Sequence, residues 1–343
     1  MLEILRSAQL RFDDVVSVLK FDEKLQTLAE TRESSRRPEW RRLIYSGAII
    51  NIYGSLEQFI DDIIARYATL CAAFFPEYSL LPEKLKAAHD SQARQLLTRD
   101  SGGRLSRDDI DEMLRCLASC LDGGASYSLS GIALSFHDRN LKAEVIEEML
   151  ARINVAISGP MRRLEIKGTN DSVLTGLYKD TESILSDLVT RRNEIAHGDY
   201  SNLLSSEILE AIVEVLKLLV QVIFDEIRKA TFLHLNPDSV GYVKNYFAQP
   251  NAHLVELTAA EISVGDMIFG IEKGSSRLRA ATVISLQDDG TEADCLVRDA
   301  LRASDGCIGL TLSPRVVFAS KIHSLNAEIA ELLVDSHFET AIN

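Results

Sequence analysis

The segment TRRNEIAHGDY, residues 190 to 200, is where the chain gathers charged and polar groups as chemistry would require. Arg192 and His197 stand five positions apart, with Asn193 and Glu194 between them and Arg191 just before. Cutting RNA without a metal needs a base to take the proton from a 2′-hydroxyl and an acid to protonate the leaving 5′-oxygen. It also needs a fixed cation to stabilise the charged phosphorus centre between them. A histidine and an arginine can share these duties. A helix C-terminus favours positive charge, and imidazole is the side chain that exchanges protons near neutral pH, so the end of a helix suits the pair. The alternative is two cations that merely satisfy a helix dipole and its last carbonyls.

On an ideal helix five residues turn the direction by about 140°, so Arg192 and His197 flank a shared edge instead of stacking. Two such helix ends meeting across a two-fold axis would surround one phosphate with two arginines and two histidines. That arrangement also answers the overall charge. With 37 Lys and Arg against 51 Asp and Glu, the formal net charge is −14, which opposes unspecific attraction to a phosphate backbone and demands a local cationic groove. Spacing alone carries little weight, since a chance match is expected in about every second chain of this composition. Arg228 and His234, six apart, satisfy a loosened version and read as a solvated helix end.

The elements that must position the segment follow from periodicity. The 343 residues, 46% of them hydrophobic, suit one large packed domain and one small one. Three- and four-residue apolar spacing predicts helices over 2–31, from Pro38 to near Pro76, over 82–99, and over 106–121 with Ser106 and Asp109 in capping-box spacing. LKAEVIEEMLARI and a final pair, 172–197 and 205–233, complete the set; GGASYSLSGIALSF and 154–170 read as irregular or loop. Beyond Leu235, NPDSVGYVKNYFAQPN reads as a linker. DMIFGIE, RAATVISLQ, EADCLVRD and CIGLTL then read as strands, with DDG turning a hairpin and a helix over 324–336 closing the chain. The expectation is an α+β protein: a helical domain over 1–235, a linker over 236–255, and a β-rich barrel or meander with its terminal helix over 256–343.

No apolar run reaches the roughly 18 residues that span a bilayer, and the N-terminus has no secretory pattern, so the expected setting is cytoplasmic with no membrane partner. Five cysteines, an odd number, fit a reducing compartment. Cys116 and Cys120 read as buried apolar residues, no metal is assigned, and the absence of a Gly-rich phosphate loop gives no hint of a nucleotide cofactor.

RRNEIAHGDYSN, late in a helical domain and followed by a long apolar helix, resembles the signature of the HEPN superfamily, whose ribonucleases carry Arg–x4–6–His on the penultimate or last core helix. YSGAIINIYGSLEQFIDDII is similar to the first core helix of the RiboL-PSP-type HEPN branch, with Glu57 and Phe59 at the matching positions. The resemblance covers about residues 39–233. It implies a metal-independent endoribonuclease, usually dimeric, of a bacterial toxin–antitoxin, abortive-infection or other antiviral system. The partners it implies are RNA, a second copy of the chain, and an antitoxin or sensor protein. By position Arg192 would stabilise the phosphate, His197 act as acid or base, and Asn193 assist orientation. Some toxin members carry a tyrosine two positions after the histidine, where a partner enzyme modifies it; Tyr200 is three after. Glu57 reads either as a buried carboxylate orienting Arg192 or as an exposed one. Arg191 reads as a phosphate or solvent contact, and Glu194 as the partner of a neighbouring arginine. Arg36, Arg37, Arg41 and Arg42 read as a solvated face, and His89, His137, His253, His323 and His337 as structural or surface residues. A second reading keeps the HEPN-like fold as a non-catalytic interaction or scaffold module whose β domain binds a partner. The β segment VISLQDDGTEADCLVRD is rich in acid and lacks basic–aromatic interleaving, which favours partner recognition over nucleic acid there.

Overall fold

The computed structural model describes residues 1–29, 37–98, 105–122, 126–162, 164, 172–199, 202–249, 251–275, 277–303, 305–325, 329–330 and 333. The chain forms two compact units that divide at residues 226 and 227. The first is helical: α1 (Leu2–Ala29), α2 (Arg37–Phe74), α3 (Glu83–Thr98), α4 (Arg107–Leu121), α5 (Gly131–Ser135), α6 (Ala143–Arg152), α7 (Ser158–Arg162), α8 (Ser172–Thr175), α9 (Thr181–Ala196) and most of α10 (Ser206–Leu235). Among the described residues, no helix is long and apolar enough to cross a membrane.

α2 is the spine of this unit. Tyr45, Ile49, Ile52, Leu56, Phe59, Ile63 and Tyr67 recur at three- and four-residue spacing and are all buried, which gives the helix one continuous apolar stripe. α5 and α9 both pack against it. α5 comes especially close because residue 131 is glycine: a Cβ there would lie 2.6 Å from the Cβ of Ala65 and 2.8 Å from its Cα. α1 is tied to α2 by Trp40 Nε1, which donates to Asp22 Oδ1 at 2.7 Å, and to α10 by the Lys217–Asp13 and Lys20–Glu210 ion pairs.

The helix ends follow local chemistry. Ser106 and Asp109 form the expected capping box at the start of α4. The single helix expected over 172–197 is two helices, because Asp180 adopts an extended backbone (φ −159°, ψ 175°) and caps a fresh start. Its carboxylate accepts from the Ser183 N–H at 2.8 Å, while Ser183 Oγ accepts from the Asp180 N–H at 3.1 Å. The loop expected over 154–170 contains α7. The stretch expected to be irregular contains α5, capped by Ser130.

The second unit is an antiparallel barrel. β1 (Ser239–Phe247), β2 (Ala252–Leu257), β4 (Met267–Glu272), β5 (Leu278–Asp288), β8 (Cys307–Ser313) and β9 (Phe318–Ser324) run in the order β4-β9-β1-β2-β8-β5, and β4 pairs with β5 to close the ring. β6 (Thr291–Ala293) extends β5 past the DDG turn, and β3 (Glu261–Ser263) pairs with β7 (Cys295–Val297). Alternation fills the interior: Ile308, Leu310 and Leu312 of β8 meet Val255, Val283, Leu286 and Ile322. Residues 236–255, expected as a linker, instead carry β1 and the first part of β2. The segment EADCLVRD is split between β6 and β7. Most of the helix expected over 324–336 lies outside the described residues.

Arg228 is a further correction. It is 1% exposed, and its guanidinium donates to the carbonyl of Leu333 through both Nε, at 2.8 Å, and Nη2. The buried Arg228 thereby ties Leu333 to α10, and burial lowers the affinity of His234 for protons. The second Arg–His pair is therefore not a solvated helix end.

The close approach at residue 131 gives a paired test. Gly131→Ala should cost about 1–3 kcal/mol through forced overpacking. Gly47→Ala on the open face of α2, where an added Cβ meets nothing within 4 Å, should stabilise by up to about 1 kcal/mol. Urea denaturation midpoints of the two variants should shift in opposite directions.

Candidate active site

The site begins with the azimuth of α9. Ile184, Leu185, Leu188, Val189 and Ile195 form its buried face, and Arg191, three after Leu188 and four before Ile195, falls on that same face. Arg191 is 9% exposed. Its Nε donates to Asp187 Oδ2 at 2.6 Å, and its Nη1 donates to the hydroxyl of Tyr45 on α2 at 3.0 Å and to the carbonyl of Asn202 at 2.6 Å. Asp187 Oδ2 also accepts from the Tyr178 hydroxyl at 2.6 Å. Burial works to lower the guanidinium's proton affinity, but its hydrogen bonds to Asp187 and Tyr45 outweigh that and hold it above the ordinary value. Burial likewise raises the phenols of Tyr45 and Tyr178. Arg191 is thus neither a phosphate nor a solvent contact: it is the buried latch that joins α9 to α2 and to the segment after the helix.

One residue on, the helix has turned by about 100°, and Arg192 is exposed. Its guanidinium lies over the ring of Tyr53, 5.4 Å from the centroid, within cation–π range. Its Nη1 donates to Asn193 Oδ1 at 3.3 Å. The helix then stops with His197 as C-cap (φ −94°, ψ 1°) and Gly198 at φ +76°, a left-handed conformation that glycine adopts without strain. The Gly198 N–H donates to the Ile195 carbonyl at 3.0 Å and the Asp199 N–H to that of Glu194 at 2.9 Å. This double closure is a Schellman end, and it fixes the backbone on which His197 stands exposed. Arg192, Asn193 and His197 therefore share the exposed C-terminal end of α9, with Arg192 and His197 about 7.5 Å apart along its axis.

Other expected residues fall differently. Glu57 meets His137, whose Nε2 lies 3.5 Å from Glu57 Oε1, and hydrogen-bonds the Tyr53 hydroxyl; it makes no direct ion pair with Arg192. His137 Nδ1 donates to the Arg139 carbonyl at 2.7 Å; with both ring nitrogens engaged, the side chain is a tether. A second tether follows, where the Leu141 N–H donates to the Tyr53 hydroxyl at 3.0 Å. Together they pin residues 137–141 along α2. One turn beyond Glu57, Asp61 has Oδ1 buried with no hydrogen-bond partner, and burial pushes its carboxyl up to about 6 against the opposing pull of His137. Glu194 is half-buried and close enough to Tyr45 to add to the rise of that phenol. Arg41 and Arg42 are exposed; Arg36, Tyr200 and His337 lie outside the described residues. Cys116 and Cys120 are buried, and among the described residues no group of three His, Cys, Asp or Glu side chains could hold a metal ion.

Sequence reasoning missed Tyr53, because its partner is far away in the chain: Tyr53 and Leu141 are 88 positions apart. The available signal was the i, i+4 ladder Tyr53, Glu57 and Asp61, three polar-ended side chains on one edge of an otherwise apolar helix.

The family model described as RiboL-PSP-HEPN matches residues 13–229, a span that contains α2, α9 and the whole segment from Arg191 to Asp199. No curated protein gives a significant match to the chain.

Two outcomes follow for stability. Arg191→Met leaves Asp187 without its cation in a largely buried setting and should cost about 3 kcal/mol or more in urea unfolding. Asp61 binds its proton more tightly folded than unfolded, so its contribution to stability is lost as pH rises from 3.8 through about 6. Asp61→Asn should therefore stabilise by about 1–2 kcal/mol near pH 7.5 and by less near pH 4.5, as read from unfolding midpoints at both values.

Proposed function

The chain belongs to the RiboL-PSP-HEPN family, and on that footing we propose that it is a metal-independent endoribonuclease of a bacterial toxin or antiviral defence system. In this reading it acts in the cytoplasm as a homodimer. The observation that carries the reading is the contrast between adjacent arginines on α9. Arg191 is buried with its Nε and Nη1 donors engaged, whereas Arg192 is exposed beside Asn193 and five residues, about 1.4 turns, from the exposed His197.

The chemistry needs no other reactant. The His197 imidazole of one copy takes the proton of a ribose 2′-hydroxyl, and the 2′-oxygen attacks the adjacent phosphorus, forming a P–O2′ bond. The P–O5′ bond breaks, and the departing 5′-oxygen takes a proton from the protonated His197 of the second copy. The products are a 2′,3′-cyclic phosphate and a free 5′-hydroxyl. The planar guanidinium fork of Arg192 meets the non-bridging oxygens as their charge grows, and the Asn193 amide helps to orient it. Two copies facing each other supply the local cationic groove that a net charge of −14 makes necessary.

The barrel fits partner recognition better than RNA binding. A depression of about 400 Å³ on it is lined by Phe247, Leu254, Gln287, Asp289, Asp305 and Cys307 among others, with no lysine or arginine among the described residues of the lining. An antitoxin or sensor protein is the kind of partner this surface suits, and the same observation supports the second reading, in which the whole chain is a non-catalytic interaction module.

Cleavage of RNA in EDTA separates the readings. Wild type should cut, and His197→Ala and Arg192→Ala should each lose on the order of 10²–10⁴ in rate, with a parallel loss of toxicity when expressed in cells. Equal rates in all three would place the chemistry elsewhere, and loss of activity on chelation would contradict a metal-free mechanism.

A further inference from the structure

We infer that Tyr53 is a positioning residue for the reaction: its ring is the seat that holds the Arg192 guanidinium toward the phosphate. The inference rests on the ribonuclease reading above and adds to it a residue outside the Arg192–His197 segment.

An exposed arginine on a helix samples many rotamers, and a cation that must meet a phosphate gains from being held beforehand. What holds it matters. A carboxylate would occupy the N–H donors that a phosphate needs, as Asp187 does with Arg191. An aromatic face restrains the guanidinium through its quadrupole and leaves the N–H donors at the edge of the plane available. Arg192 has the second arrangement, 5.4 Å above the Tyr53 ring.

The surroundings keep the seat fixed and uncharged. Tyr53 is 4% exposed, its hydroxyl accepts from the Leu141 N–H at 3.0 Å, and burial raises its phenol so that it stays neutral beside the cation. Glu57, one turn along α2, would be the competing carboxylate, but it faces His137 Nε2 at 3.5 Å and the Tyr53 hydroxyl, with which it hydrogen-bonds. Leu141 and Glu57 thus steady the seat through its hydroxyl, and His137 and that hydroxyl together occupy the nearest carboxylate.

The test uses the full chain and two measurements. The first is the ring-current shift of the Arg192 side-chain resonances, identified by their loss in Arg192→Lys. They should be displaced upfield in wild type and in Tyr53→Phe, and return to ordinary positions in Tyr53→Leu. The second is single-turnover RNA cleavage in EDTA. Tyr53→Phe should stay within about 3-fold of wild type, and Tyr53→Leu should slow cleavage by about 10- to 100-fold. Adding Tyr53→Leu to Arg192→Ala should produce no further slowing, because the ring acts only through the arginine. Undisplaced Arg192 resonances in wild type would overturn the proposal, and that result does not depend on how any leucine variant folds. So would a double variant whose loss is the product of the two single losses, or a phenylalanine variant as impaired as the leucine one. If wild type cuts no RNA the ribonuclease reading fails, and the resonance shifts still decide whether Tyr53 holds Arg192.

Discussion

The buried guanidinium of Arg191 is the constraint on which the rest of the site depends. It bonds at once to its own helix through Asp187, to α2 through the Tyr45 hydroxyl, and to the chain beyond the helix through the Asn202 carbonyl. A charge so placed is costly unless its partners are kept, so the rotation of α9 against α2 is fixed wherever those three bonds are made. Once that rotation is fixed, the next residue can only face outward over Tyr53. The Asn202 bond draws the chain back past the helix end, where the closure at Gly198 sets the backbone of His197. The same latch that stabilises the helical unit therefore aims the residues with catalytic potential.

Much of this was legible in the chain. α2 could be read from the recurrence of Tyr45, Ile49, Ile52, Leu56 and Phe59, and the start of α4 from Ser106 and Asp109, because the physics involved acts within a few residues. The break before α9 was also local, since Asp180 and Ser183 stand in capping-box spacing, but the apolar period running from Val173 to Val189 hid it. β1 was missed for a different reason. Pro237 and Pro250 stand on either side of it, and its burial does not alternate cleanly along Ser239–Phe247, so the segment has the composition of a linker and acquires strand character only from its pairing with β2 and β9.

Burial of arginine was the least legible feature. Arg191, Arg192 and Arg228 look alike in the sequence, yet two are buried and one is exposed. The difference comes from partners that no local pattern reveals: Tyr45 and Asn202 for Arg191, the Leu333 carbonyl for Arg228, and the Tyr53 ring for Arg192. His137 and Glu57 belong to the same class, a contact at 3.5 Å between a distant loop and a helix. The candidate positions were chosen by type and spacing; the side chains packed around them emerge only in three dimensions.

The central claim is that α9 presents Arg192 and His197 to a phosphodiester and that the 2′-hydroxyl is the nucleophile. The most direct measurement is the end-group chemistry of RNA fragments produced in EDTA by wild type and by His197→Ala. The account predicts 2′,3′-cyclic phosphate and 5′-hydroxyl ends from wild type and almost no fragments from the variant. Fragments ending in 3′-hydroxyl and 5′-phosphate, or the same yield of cyclic phosphate from both proteins, would contradict it.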